Sequence, residues 1–180
     1  MQMHGSPKSV SIGIRIVSFL WDYLLIFCYI VLLIGVSYLA KPLLAPLFTG
    51  NPYLAEFTGF LLITLPVFLY FAICEGSKLH ATWGKRKMGI IVVRVHGQPI
   101  GWGRALSRTA LKFIPWELAH FTIWHMVIPS GFADAVNIGL LVLVYGMVFL
   151  NGLRALLSKK KQTVYDFIAG TVVISQTGKK

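Results

Sequence analysis

Long apolar runs, broken by a few ionisable residues, organise this chain. Residues 23–40, 57–74 and 135–153 contain no Asp, Glu, Lys or Arg, and each approaches the ~20 residues a helix needs to cross hydrocarbon. They predict three spanning helices, the first beginning near residue 16. A fourth run, FIPWELAHFTIWHMVI over residues 113–128, is apolar except for Glu117, His120 and His125. As a span it places Pro115 in its first turn, where proline is tolerated, and Pro129-Ser-Gly makes a tight exit before Asp134 opens the last helix. Between the second and fourth runs, GIIVVRVHGQPIGW reads as a β-hairpin around Gly97-Gln98-Pro99. After it, Arg104, Arg108 and Lys112 recur four apart and share one helix face.

Charge placement changes the topology. The stretch 76–112 carries eight of the 17 Lys and Arg, the tail from Arg154 carries six, Lys8 and Arg15 lie at the start, and Lys41 is the remaining one. Short basic loops stay on the cytoplasmic side, and with three spans the two basic segments would fall on opposite sides. A fourth span over 113–128 removes the conflict; the alternative lays that segment in the interface as an amphipathic stretch. The expected architecture is therefore an all-α membrane protein of one domain, 1–180. Four transmembrane helices (16–40, 57–74, 113–128, 135–153) are joined by a cytoplasmic hairpin and basic helix over 76–112, with a cytoplasmic tail over 154–180. The bacterial inner membrane, with both termini cytoplasmic, is the expected location.

Composition agrees, with 56% hydrophobic residues and a mean hydropathy of +0.72. The excess of 17 Lys and Arg over six Asp and Glu is explained by cytoplasmic retention and contact with anionic headgroups, without nucleic acid. A homo-oligomer or a membrane protein partner is compatible with so small a bundle. Cys28 and Cys74 fall inside spans, far apart and without metal-type neighbours, and read as small buried hydrophobes. Glu117-Leu-Ala-His120 is one Glu-x-x-His, but a di-iron bundle needs a second copy and two further glutamates. His120 and His125 lack the spacing of two zinc ligands on one face. Gly84–Gly89 imitates the start of a phosphate loop without its lysine and hydroxyl. No cofactor, no metal and no catalysis are expected. The tryptophans at 83, 102, 116 and 124 read as interfacial anchors.

Three motifs in order resemble the RDD family, membrane proteins named for one arginine and two aspartates. IGIRIVSFLWDYLL carries Arg15 and Asp22, TWGKRKMGIIVVRVHGQPIGWGRALSR is similar to the family's glycine-lysine, hairpin and arginine-bearing helix, and QTVYDFIAGTVVI supplies Asp166. His120 and His125 are not part of that pattern. The resemblance implies a multi-pass membrane protein, with transport often proposed and cation/proton exchange suggested for some members.

Asp22 sits inside an apolar run, where a carboxylate costs roughly 2.5–3.5 kcal/mol unless something compensates it. Arg15, seven residues earlier, is ~10 Å away along the helix, too far for a direct pair, and is expected to meet Asp166 docking back from the tail. Counting inward from Arg15 and from Lys112 brings Asp22 and His120 to one depth, where they would share a proton; Arg108 is the rival partner. Two roles stay open for Asp22, a transport relay and a buried bond that only holds helices together. Two functions stay open with them: transport or ion exchange, and a non-catalytic adaptor binding protein or anionic lipid through its basic face.

Overall fold

The computed structural model describes residues 9–176, so Lys8, Lys179 and Lys180 of the charge count lie outside the described residues. In chain order the elements are α1 (Ile12–Leu39), α2 (Lys41–Leu44), α3 (Pro52–Gly59), α4 (Leu65–Gly76), α5 (Trp83–Lys87), β1 (Ile90–Arg94), α6 (Gly101–Val127), α7 (Asp134–Leu157), α8 (Val164–Ile168) and β2 (Thr171–Ser175). A π turn over Phe60–Thr64 joins α3 and α4 into one continuous helix, Pro52–Gly76.

That π turn follows from Pro66. Proline has no N–H to offer the carbonyl of Leu62, so the helix widens just before it and the Leu65 N–H reaches back to Phe60. Tyr29 of α1 donates its hydroxyl to the freed Leu62 carbonyl, which satisfies it and ties the two helices together. At the start of the same helix, Asn51 accepts from the Tyr53 and Leu54 amides at 2.9 and 3.3 Å, with Pro52 in the first position.

Three helices, Ile12–Leu39, Pro52–Gly76 and Asp134–Leu157, are long and apolar enough to cross a membrane. Large apolar side chains such as Leu32, Ile34 and Phe149 cover their outer faces, as expected where the surroundings are hydrocarbon. The fourth expected span is different. Residues 113–127 are the second half of α6, one helix of 27 residues that also contains the basic stripe. Pro115 therefore lies in the helix interior and not in its first turn. Arg104, Arg108, Lys112 and Glu117 on this one element keep α6 outside the apolar class that the other three define.

The four long helices run alternately away from and toward a small sheet. The expected local hairpin is reduced to a single antiparallel bridge, Val93 opposite Pro99, and the full ladder is long-range: β1 runs antiparallel to β2, with Val92 opposite Val173. Two features of the sequence explain this. Gly97 turns the chain at φ 83° and the Arg94 amide closes on the Gln98 carbonyl at 2.8 Å, but Pro99 then removes a ladder donor and α6 begins at Gly101, leaving no length for a return strand. TVVIS at 171–175 supplies the β-branched partner. The segment before α1 adds to the far edge of β2, where the Val10 amide donates to Val173 at 3.3 Å. Beneath the sheet, Val10, Ile90, Val92, Ile100, Ala105 and Val173 form one apolar cluster. Within the bundle α6 is central, packed on α3 and α4 and on α7, while α1 packs on α5. Ile26, Phe71 and Phe113 join α1, α4 and α6 in a second cluster.

Candidate functional site

The buried face of α1 presents Ser18, Asp22 and Ile26, four residues apart. Against it lies α5, a five-residue helix capped by Thr82. Asp22 Oδ1 accepts from the Tyr70 hydroxyl and the Gly84 amide, both at 2.7 Å, and Oδ2 accepts from the Thr82 hydroxyl at 2.6 Å. The Tyr70 hydroxyl in turn accepts from the Trp83 amide at 2.9 Å. The basic loop thus folds back into the bundle and spends its helix-terminal donors on the carboxylate. Gly84 is required for this approach, since a Cβ there would collide with the Ser18 carbonyl and lie 2.9 Å from Asp22 Cγ.

His120 and Arg108, the two expected partners of Asp22, are elsewhere. Arg15 and Arg108 share Asp166, so α6 is set with Phe113 already against Ile26, one turn deeper than Asp22, and His120 lies farther along. His120 packs edge-on to Trp116, with ring centroids 4.7 Å apart. Arg108 belongs to a chain of ion pairs that begins at Lys85 of α5.

That chain runs Lys85, Glu75, Arg108, Asp166, Arg15. Lys85 Nζ donates to Glu75 Oε1 at 2.9 Å, Arg108 Nη1 to Glu75 Oε2 at 2.5 Å, Arg108 Nε to Asp166 Oδ1 at 2.8 Å, and Arg15 Nη2 to Asp166 Oδ2 at 2.6 Å. The expected meeting of Arg15 with Asp166 is present in the structure. Glu75 and Asp166 are wholly buried and Arg108 is 2% exposed, so each charge depends on the next. Asp166 also closes a capping box on α8: its amide donates to Thr163 Oγ1 at 3.2 Å, and its Oδ2 accepts from the Thr163 amide at 3.4 Å. Thr171 adds a hydroxyl to Oδ1 at 3.2 Å. Burial alone would raise the Asp166 carboxyl, but Arg108 and Arg15 outweigh it and hold it well below the usual carboxylate range. One aspartate therefore fixes the cap of α8, the first helix and the central helix together.

Sequence reasoning missed Glu75. The signal was present: residues 76–112 carry eight basic residues and no acid, and Glu75 is the first carboxylate outside that stretch. It also missed Glu56. In the half of the bundle away from the sheet, the carboxyl groups of Glu56 of α3 and Glu117 of α6 are neighbours. Neither meets a cation among the described residues, and the second oxygen of each is buried without a partner. His120 follows Glu117 by one turn. Farther on, His125 donates from Nδ1 to the Phe121 carbonyl at 2.8 Å and is enclosed by the rings of Tyr53, Phe121 and Phe132. Trp116 and Trp124 serve packing as well as any interface: Trp116 donates to Thr64 at 3.3 Å, and Trp124 stacks on Phe48. Among the described residues no group of three or more His, Cys, Asp and Glu is placed to hold a metal ion.

An apolar helical bundle of membrane type, latched at one end by a buried arginine-aspartate pair and with a second aspartate seated on the loop before the sheet, is the class of protein these features define. The chain belongs to the RDD family, whose model matches residues 10–170. That match takes in Arg15, Asp22 and Asp166. Searches of curated proteins and of solved structures returned no match.

Proposed function

We propose that this RDD-family protein moves a small ion across a membrane in exchange for a proton, with α6 as the central conducting helix. In this reading it has four transmembrane helices in the bacterial inner membrane and cytoplasmic termini; residues 113–128 cross because the basic segments at 76–112 and beyond Arg154 belong on one side. The observation that carries the proposal is the Glu56–Glu117 pair. Two carboxyl groups from different helices meet with no cation between them and with an unpartnered oxygen on each. One proton holds such a pair; its loss leaves two like charges in an apolar half, which an entering cation offsets. His120, next to Glu117 on the same helix, is placed to pass that proton on.

The ion-pair chain closes the opposite, cytoplasmic end. Asp22 has its oxygens taken by three donors and acts as a structural seat for the α5 loop, outside the proton path. A second reading, an adaptor that binds a protein partner, draws on the open groove at the sheet end lined by Lys78, Arg86 and Lys87.

Purified protein in proteoliposomes, loaded with a pH-sensitive dye and given an inward gradient of each alkali cation in turn, tests the exchange. Wild type should alkalinise the lumen with one of them, as cation entry is exchanged for proton exit, and Glu117→Gln and Glu56→Gln should abolish the signal while eluting as folded protein. Absence of any cation-dependent pH change in the wild type overturns exchange in favour of the adaptor.

A further inference from the structure

Two neighbouring cavities open beside α1. At the sheet end, a cavity of about 210 Å³ is lined by Arg15, Lys85, Arg108 and Lys112, with Asp22 as its one carboxylate; Glu75 and Asp166 lie behind these cations. Beside it, a groove of about 300 Å³ is walled by carbon from all four long helices, including Tyr23, Ile26, Phe113, Val144 and Val148. Phe19, Phe71 and Lys112 belong to both, so the cationic and apolar spaces meet at the Lys112 side chain.

Charge does not balance there. Four cations, Arg15, Lys85, Arg108 and Lys112, stand against three carboxylates, Asp22, Glu75 and Asp166. The first three cations are each paired, and Lys112 is the odd one: among the described residues it forms no ion pair and no hydrogen bond, and its Nζ rests 3.1 Å from the centre of the Phe71 ring. An ammonium in such surroundings is costly without a counter-charge, and an aromatic face offsets only part of it. An anion beside Nζ would hold Lys112 in its charged form against burial. A free inorganic anion would leave the adjoining groove without an occupant, and that groove lies between α1 and α7, two helices that pack on α5 and α6 and not extensively on each other.

We infer that the chain binds an anionic phospholipid here, its phosphate beside Lys112 among the cations of the first cavity and one acyl chain in the groove between α1 and α7. The phosphate supplies the missing negative charge and the chain fills apolar space, so each half of the ligand answers one half of the site. This site is separate from the Glu56–Glu117 pair and does not depend on ion exchange.

The test is the thermal unfolding midpoint of the full chain in a neutral detergent, titrated with phosphatidylglycerol, phosphatidylcholine or inorganic phosphate. Phosphatidylglycerol should raise the wild-type midpoint, and the other two should not. Lys112→Gln should weaken the phosphatidylglycerol response about fivefold or more. Val148→Phe, at a side chain 55% exposed on the groove wall, should fill the groove without touching a charge and also lose the response, with its lipid-free midpoint near wild type. If Lys112→Gln does not fold, Val148→Phe decides alone. An undiminished phosphatidylglycerol response in either folded variant, an equal response to phosphatidylcholine, or a full response to inorganic phosphate overturns the proposal.

Discussion

The two halves of this bundle treat buried charge in opposite ways. Near the sheet, Glu75 and Asp166 each meet two cations, and Asp22 takes three hydrogen bonds. In the other half, the carboxylates Glu56 and Glu117 meet only each other, and each has a buried oxygen without a partner. At the sheet end, among the described residues, the buried nitrogens without a partner, Arg94 Nε, Arg154 Nε and the Lys112 ammonium, are cationic. Fully answered charges behave as structure, because any change leaves a buried ion exposed to its own desolvation cost. A carboxyl pair held by one proton loses little when that proton is replaced by another hydrogen-bond donor. The half that holds the fold and the half proposed to exchange protons are thus separable, and substitutions should tell them apart.

The largest effect is expected at Arg108, which alone joins Glu75 to Asp166. Arg108→Met leaves both carboxylates buried with one cation fewer and should cost about 3–5 kcal/mol, read as a collapse of the thermal midpoint or of the monodisperse fraction in detergent. Arg108→Lys should recover little, since a single ammonium cannot present Nε and Nη1 to two carboxylates on different elements. A midpoint unchanged in Arg108→Met would remove the distinction between the halves. Next in size is Gly84→Ala, whose methyl must displace α1 at the Ser18 carbonyl and Asp22; about 1–3 kcal/mol is expected by the same measurement.

Acid should act on the sheet end first. Asp166 has a folded-state pKa below its unfolded one, so its contribution is complete above about pH 4 and is lost as the pH falls toward the lower folded value. The midpoint should stay level from neutrality down to about pH 4 and then drop. In Asp166→Asn it should be low throughout and the acid limb flatter.

Much of the sheet end was legible in the sequence, and the reason is geometric. Arg15 at the mouth of a helix and Asp166 in a docking tail lie at one depth in any up-and-down bundle that brings both ends to the same face. The partners of Asp22 were not legible, because Tyr70, Thr82 and the Gly84 amide are short-range donors whose use depends on the loop before β1 folding into the bundle. The axial offset between helices was the other missing quantity. Counting inward from Lys112 put His120 at the depth of Asp22, but the α6 residue level with Arg15 is Arg108, both on Asp166. Phe113 already meets Ile26 one turn past Asp22, so His120 lies deeper still. The strand pairing failed for a similar reason: a local turn at Gly97 was visible, while the choice of β2 over a local return depended on the space left before α6.

The smallest expected effect carries the most information. Glu117→Gln keeps the size of the side chain and offers Glu56 an amide donor, so the contact between α3 and α6 survives without any charge being stranded. Its midpoint should lie within about 0.5 kcal/mol of wild type, the range of substitutions that break no buried pair. The acid limb should stay where Asp166 puts it, because that carboxyl sits in the other half. A variant this quiet in stability can be silent in exchange only if the pair is used for the proton itself. Should Glu117→Gln instead unfold as readily as Arg108→Met, the carboxyl pair would be as structural as the ion-pair chain, and the difference between the halves would be one of composition and not of function.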